Sequence, residues 1–148
     1  MGVRKMYTKE ITRISNLSNK GQAAQQNLDY AITGKIRKPD HIPFDMDSDI
    51  PEVNMSVKSS GFTLASANIL EAETFDGQLA EFATRVHSTE FAYVAQNDVA
   101  YIMVLDEFLE FVKTFCIWTK ESEKNGGKYK IRCRRESRKM MAWFEARV

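Results

Sequence analysis

The stretch FAYVAQNDVAYIMVL, residues 91–105, constrains the fold most. β-Branched and aromatic residues fill both halves, and Gln96-Asn97-Asp98 supplies turn chemistry between them. It reads as two strands joined by a turn. A second strand signal is EVNMSVK, residues 52–58. Val53, Met55 and Val57 point one way, and Glu52, Asn54, Ser56 and Lys58 the other. The apolar face should meet the core, leaving a row of polar groups on a half-buried sheet. SSGFTLAS is expected to continue or pair with that strand, and KNGGKYKIRCR to form a turn and a short basic strand.

Helices are expected around these strands. KGQAAQQNLDYAITG carries an apolar stripe of Ala24, Leu28, Ala31 and Ile32, and Gly34 supplies its stop. TFDGQLAEFATRVHS buries Leu79, Phe82, Ala83 and Val86, with His87 near its end capping the last carbonyls. Asp106 should cap EFLEFVKTFCIW, whose Phe108, Phe111, Phe115 and Trp118 recur at helical spacing and read as core. RESRKMMAWFEARV closes the chain as a basic amphipathic helix, and Ile11, Ile14 and Leu17 suggest a helical arm over residues 1–20. KIRKPDHIP is loop. The order predicts an α/β or α+β domain over residues 1–148, with a mixed sheet and helices packed on it.

With 148 residues, 43% hydrophobic and 28% charged, the chain suits one soluble domain with a real core. No apolar run approaches a membrane span, and MGVRKMYTKEITRIS lacks the apolar centre of a signal peptide, so a cytoplasmic protein is expected. Cys116 and Cys133 lie far apart in sequence with no metal-ligand spacing, and read as reduced, half-buried thiols. The net charge of +1 hides an asymmetry. From Lys120 onward there are ten Lys/Arg against four Asp/Glu, a net +6, while the remainder has eleven against sixteen. Lys128, Lys130, Arg132 and Arg134 alternate along one strand, and Arg135, Arg138 and Lys139 continue the charge. Such a segment attracts phosphates.

The acidic counterpart is PFDMDSDIPEVNMSVK, residues 43–58. Acidic clusters attract divalent cations, and Mg²⁺ takes one or two carboxylates and keeps several waters. A phosphodiester hydrolase adds a lysine near the attacking water or the scissile phosphate. Positions 56 and 58 share a strand face, and Asp45 precedes Lys58 by thirteen residues, enough for a strand, a turn and a returning strand. Asp40 gives a literal Pro-Asp eighteen residues before Lys58, but it sits in the loop between two prolines.

These residues resemble the PD-(D/E)XK nuclease superfamily, the fold of many type II restriction endonucleases and archaeal Holliday-junction resolvases. PFD, an acidic turn and SVKSS resemble its strand–turn–strand core, and KGQAAQ, with Gly21 second, is similar to the KGxxxE of the resolvases. The resemblance covers roughly residues 20–105. It implies a Mg²⁺- or Mn²⁺-dependent DNA endonuclease, acting as a homodimer, with Asp45 on the metal and Lys58 on the water or phosphate. Two positions depart from the pattern. The first-helix acid falls on Gln25, and the acid two residues before the lysine falls on Ser56. A subgroup of restriction enzymes also reads Ser-x-Lys, with the missing carboxylate supplied from the following helical region. Spacing favours Glu71 or Glu73 for that ligand, and placement on a helix favours Glu81. Gln25 and Ser56 would then serve as hydrogen bonders. Ser-x-Lys points to the restriction type, KGQAAQ to a resolvase-like enzyme on branched DNA, and the two lost acids to an inactive DNA- or partner-binding module.

Overall fold

The computed structural model describes residues 6–14, 20–35, 48–64 and 70–148. Within them, five strands make one mixed sheet: β1 (Met6–Glu10), β2 (Ser48–Ile50), β3 (Met55–Ser59), β4 (Glu90–Val94) and β5 (Val99–Val104). Their order is β1-β5-β4-β3-β2. Only the β3–β4 pair is parallel, and α2 (Phe75–Arg85) is part of the crossover that joins them. β4 and β5 form the hairpin read from residues 91–105, turning through Asp98 at φ 62°. A second sheet is the antiparallel pair β6 (Cys116–Lys120) and β7 (Tyr129–Cys133). The fold is mixed α and β, as its sequence predicts.

Both faces of the main sheet are covered. On one, α1 (Lys20–Thr33) lays Ala24 and Leu28 against Ile50, Met55, Val57, Ala92, Ala100 and Ile102. Gly34 ends that helix at φ 72°, a left-handed conformation that costs glycine little. On the other face, Phe91, Tyr93, Tyr101 and Met103 meet α2, α3 (Leu105–Phe115), α4 (Arg138–Glu145) and the β6–β7 hairpin. Aromatic rings dominate this layer. Phe91 stacks on Phe108 at 4.4 Å, and Tyr101 on Phe144 at 4.4 Å.

At several elements the structure differs from the sequence expectation. Residues 6–10 are a strand paired with β5 and not part of a helical arm. Residues 51–53 form a single 3₁₀ turn, so Val53 and Glu52 are not in β3, and Asn54 turns the chain at φ 52°. Residues 60–64 do not extend β3. They turn at Gly61 and bridge to β7 through Thr63 and Arg132. The third helix starts at Leu105 with no side-chain cap, placing Asp106 in its first turn. It stops at Phe115, and Trp118 lies on β6, because Cys116–Lys120 pair with β7 instead of continuing the helix. Leu17, Asp40 and Asp45 lie outside the described residues. Among the described residues, no helix is long and apolar enough to cross a membrane.

Candidate functional site

Strand β3 lies between antiparallel β2 and parallel β4. Its Met55 and Val57 enter the α1 layer, so Ser56 and Lys58 share the opposite, aromatic face. They are far more buried than a half-exposed strand suggests, with 1% of Ser56 and 4% of Lys58 exposed. Ser56 is opposite Phe91 and Lys58 opposite Tyr93 on β4. The Lys58 ammonium lies 5.7 Å from the centre of the Phe62 ring. Phe62 in turn accepts a 2.7 Å hydrogen bond through its carbonyl from the Cys133 N–H, so the cover over Lys58 is tied to β7.

Asp49 is directly opposite Ser56 on β2. Opposed residues of an antiparallel pair share a face, so Asp49 brings a carboxylate to the Ser56–Lys58 face. One of its oxygens is fully buried. The Ser56 hydroxyl is buried too, and has no hydrogen-bond partner among the described residues. Gln25 reaches this strand from α1, donating through Nε2 to the Asp49 carbonyl. It thereby holds the edge of β2 and does not stand on the face of Ser56 and Lys58.

The downstream glutamates have other partners. The Glu71 N–H donates to the Glu81 carboxylate at 2.8 and 3.2 Å, and Arg85 lies 3.7 Å from the same group. Glu81 thus ties residues 70–71 to α2. Glu73 is exposed just before the helix. None of the three bonds to the Ser56 hydroxyl. Among the described residues, no three His, Cys, Asp or Glu side chains gather as a metal centre. Asp45, the first carboxylate expected on the metal, is not among them.

No family model, curated protein or solved structure matches this chain.

Four groups near Lys58 escape the sequence patterns. Cys116 and Cys133 are buried, more so than the half-buried thiols expected from sequence, and lie opposite one another on the hairpin. The Arg134 N–H donates to the Phe115 carbonyl, which makes 115 and 134 a hydrogen-bonded pair and leaves the cysteines in a close, non-hydrogen-bonded one. The hydrogen bond between the thiols, together with burial, pushes the Cys116 pKa far up, while the charge of Lys58 acts the other way. Tyr93 is also held protonated, first by burial and then by the nearby Glu136 carboxylate. Glu136 accepts from the Gln96 N–H at 3.2 Å, and its own N–H donates to Ser60 at 3.0 Å. Ser60, Gln96 and Glu136 thus gather where the parallel strands β3 and β4 end, the edge at which open α/β sheets take ligands. Register alone places Asp49, and only tertiary contact places Glu136.

The basic segment keeps its alternation. Ile131 and Cys133 of β7 are buried, whereas Arg132 is exposed and Lys130 lies 3.8 Å from Glu121. Lys128, Arg132, Arg134, Arg135, Arg138 and Lys139 are exposed. None of these six forms an ion pair with a described residue.

Proposed function

We propose that this chain is a metal-dependent DNA endonuclease of the PD-(D/E)XK kind, with Lys58, Ser56 and Asp49 at its chemical centre. The observation that carries the reading is the register of β2 on β3. It sets a carboxylate opposite position 56, two residues from a lysine, beside a parallel strand. Mg²⁺ takes as few as one or two carboxylates and fills its other positions with water and substrate phosphate, so Asp49 would be the described carboxylate that holds it. The ion would supply charge stabilisation to the phosphate. Lys58 would add a second positive charge there, in a setting of low dielectric where such a charge acts strongly. The Ser56 hydroxyl, unpartnered among the described residues, would offer a hydrogen bond to a ligand water. The cations of β7 and the start of α4 would hold the phosphate backbone.

A second reading rests on a specific observation. Lys58 is almost wholly buried, which suits a nuclease-like module that binds DNA or a partner without cutting it. Incubating the protein with plasmid, linear and four-way-junction DNA in Mg²⁺ or Mn²⁺ separates the two, and the preferred DNA separates a restriction-type from a resolvase-like enzyme. Asp49→Asn and Lys58→Met are expected to abolish cleavage while the far-UV spectrum is retained. Calorimetry should show weaker Mg²⁺ binding for Asp49→Asn and unchanged binding for Lys58→Met. Cleavage at the wild-type rate by Lys58→Met would remove the hydrolytic assignment.

A further inference from the structure

The tip of the β6–β7 hairpin carries a feature that hydrolysis at Lys58 does not use. Tyr129 is 47% exposed, yet its ring is held in place. It stacks on Trp118 with centroids 5.5 Å apart and planes 10° from parallel. Trp118 meets Phe75 edge-on at 6.4 Å, which anchors the stack to the start of α2. The Tyr129 carbonyl accepts from Gln78 Nε2 at 3.1 Å, a second tie to the same helix. No other ring packs on Tyr129 among the described residues. Lys120 is its cross-strand neighbour, and Lys128 precedes it. Lys120, Lys124 and Lys128 are exposed and form no ion pair with a described residue.

From this arrangement we infer that the hairpin tip binds single-stranded nucleic acid, with an unpaired base stacked on Tyr129 and the lysines on the flanking phosphates. An aromatic ring with one covered face and one open face is a platform for a planar partner. Bases stack on such rings whatever their identity, whereas the faces of bases inside a duplex are already occupied. Because Trp118 fixes the ring beforehand, little side-chain entropy is lost on binding. The lysines give charge complementarity to phosphate and none to a cationic partner. An acidic peptide would satisfy the lysines but leave the ring unused. This inference rests on the nucleic-acid part of the proposed function and is independent of its hydrolytic part.

The test is binding in EDTA, so that cleavage plays no role. Fluorescence anisotropy would compare an oligothymidylate, an oligouridylate, a duplex of equal length and polyglutamate. A single strand is expected to bind more tightly than the duplex, and the two single strands report whether DNA or RNA is preferred. Tyr129→Leu should weaken that binding by about five- to a hundredfold and leave the duplex affinity unchanged, with Tyr129→Phe retaining it. In a Trp143→Phe protein, the remaining Trp118 emission should fall as oligonucleotide is added. That measurement decides the matter if Tyr129→Leu fails to fold. Wild-type affinity in Tyr129→Leu, unchanged Trp118 emission, or equal binding of polyglutamate would overturn the inference. Preference for duplex would overturn it and leave the nuclease reading standing. Failure to bind any nucleic acid would overturn both.

Discussion

A buried hydroxyl without a partner costs roughly 1–3 kcal/mol relative to one that is hydrogen-bonded, and among the described residues Ser56 has no such partner. Its strand neighbours are ordinary core residues, Met55 and Val57. Ser56→Ala removes the hydroxyl and leaves the backbone as it is. It is expected to stabilise the fold by about 1 kcal/mol, seen as a higher urea midpoint with an unchanged slope. A lower midpoint would show that the hydroxyl has a partner in solution. A residue kept at a cost to stability is what a working site produces. The sequence carries this much of the site openly, since a two-residue period puts Ser56 and Lys58 on one face. It does not carry Asp49, whose place opposite Ser56 depends on a turn closed by Pro51–Val53 and a left-handed Asn54. Nor does it carry the meeting of Cys116 with Cys133, which depends on a hairpin whose first strand looks like the end of a helix.

At the scale of elements, α2 sets the geometry of β3 and β4, because two parallel neighbours need a crossover. Its start is fixed locally. Thr74 caps it by accepting from the Gly77 N–H at 3.0 Å. Position 77 has no room for a side chain, since a Cβ there would lie 2.7 Å from Thr74 Oγ and 3.0 Å from the Ala72 Cβ. Thr74→Ala should cost about 1 kcal/mol, within the 0.5–2 kcal/mol range of lost N-caps, and lower the melting temperature. Thr74→Ser should restore most of it. An unchanged melting temperature in Thr74→Ala would mean that packing of Leu79 and Phe82 alone holds the helix start. Helices with a clear apolar stripe and a stop signal, such as α1 before Gly34, are legible from sequence. β1 is not. It is an edge strand with one buried residue, Met6, so the period-2 signal is absent and Ile11 and Ile14 imitate a helix. The end of α3 is equally hidden, because Phe115 and Trp118 keep helical spacing across a change to strand that only β7 enforces.

At the scale of the whole molecule, the central sheet separates two layers, and the charge asymmetry of the sequence becomes a basic hairpin beside the aromatic one. The layers follow from hydrophobic patterning, whereas the burial of Lys58 follows from how the hairpin and Phe62 close over β3, a contact between segments far apart in the chain. That closure has a kinetic consequence. Cys116 and Cys133 are buried on the same hairpin that closes over Lys58, and a bulky thiol reagent is expected to reach them only while the hairpin stands away from the sheet. The ratio of their labelling rate to that of the urea-unfolded chain therefore measures the fraction of time the cover is open. Labelling is expected to be slower by orders of magnitude in the folded protein, and Phe62→Ala, which thins the cover, should speed it. Equal rates in folded and unfolded protein would mean that the hairpin does not pack down. The two thiols are thus a built-in gauge of how often the solvent, and any phosphate dissolved in it, is admitted to the buried lysine.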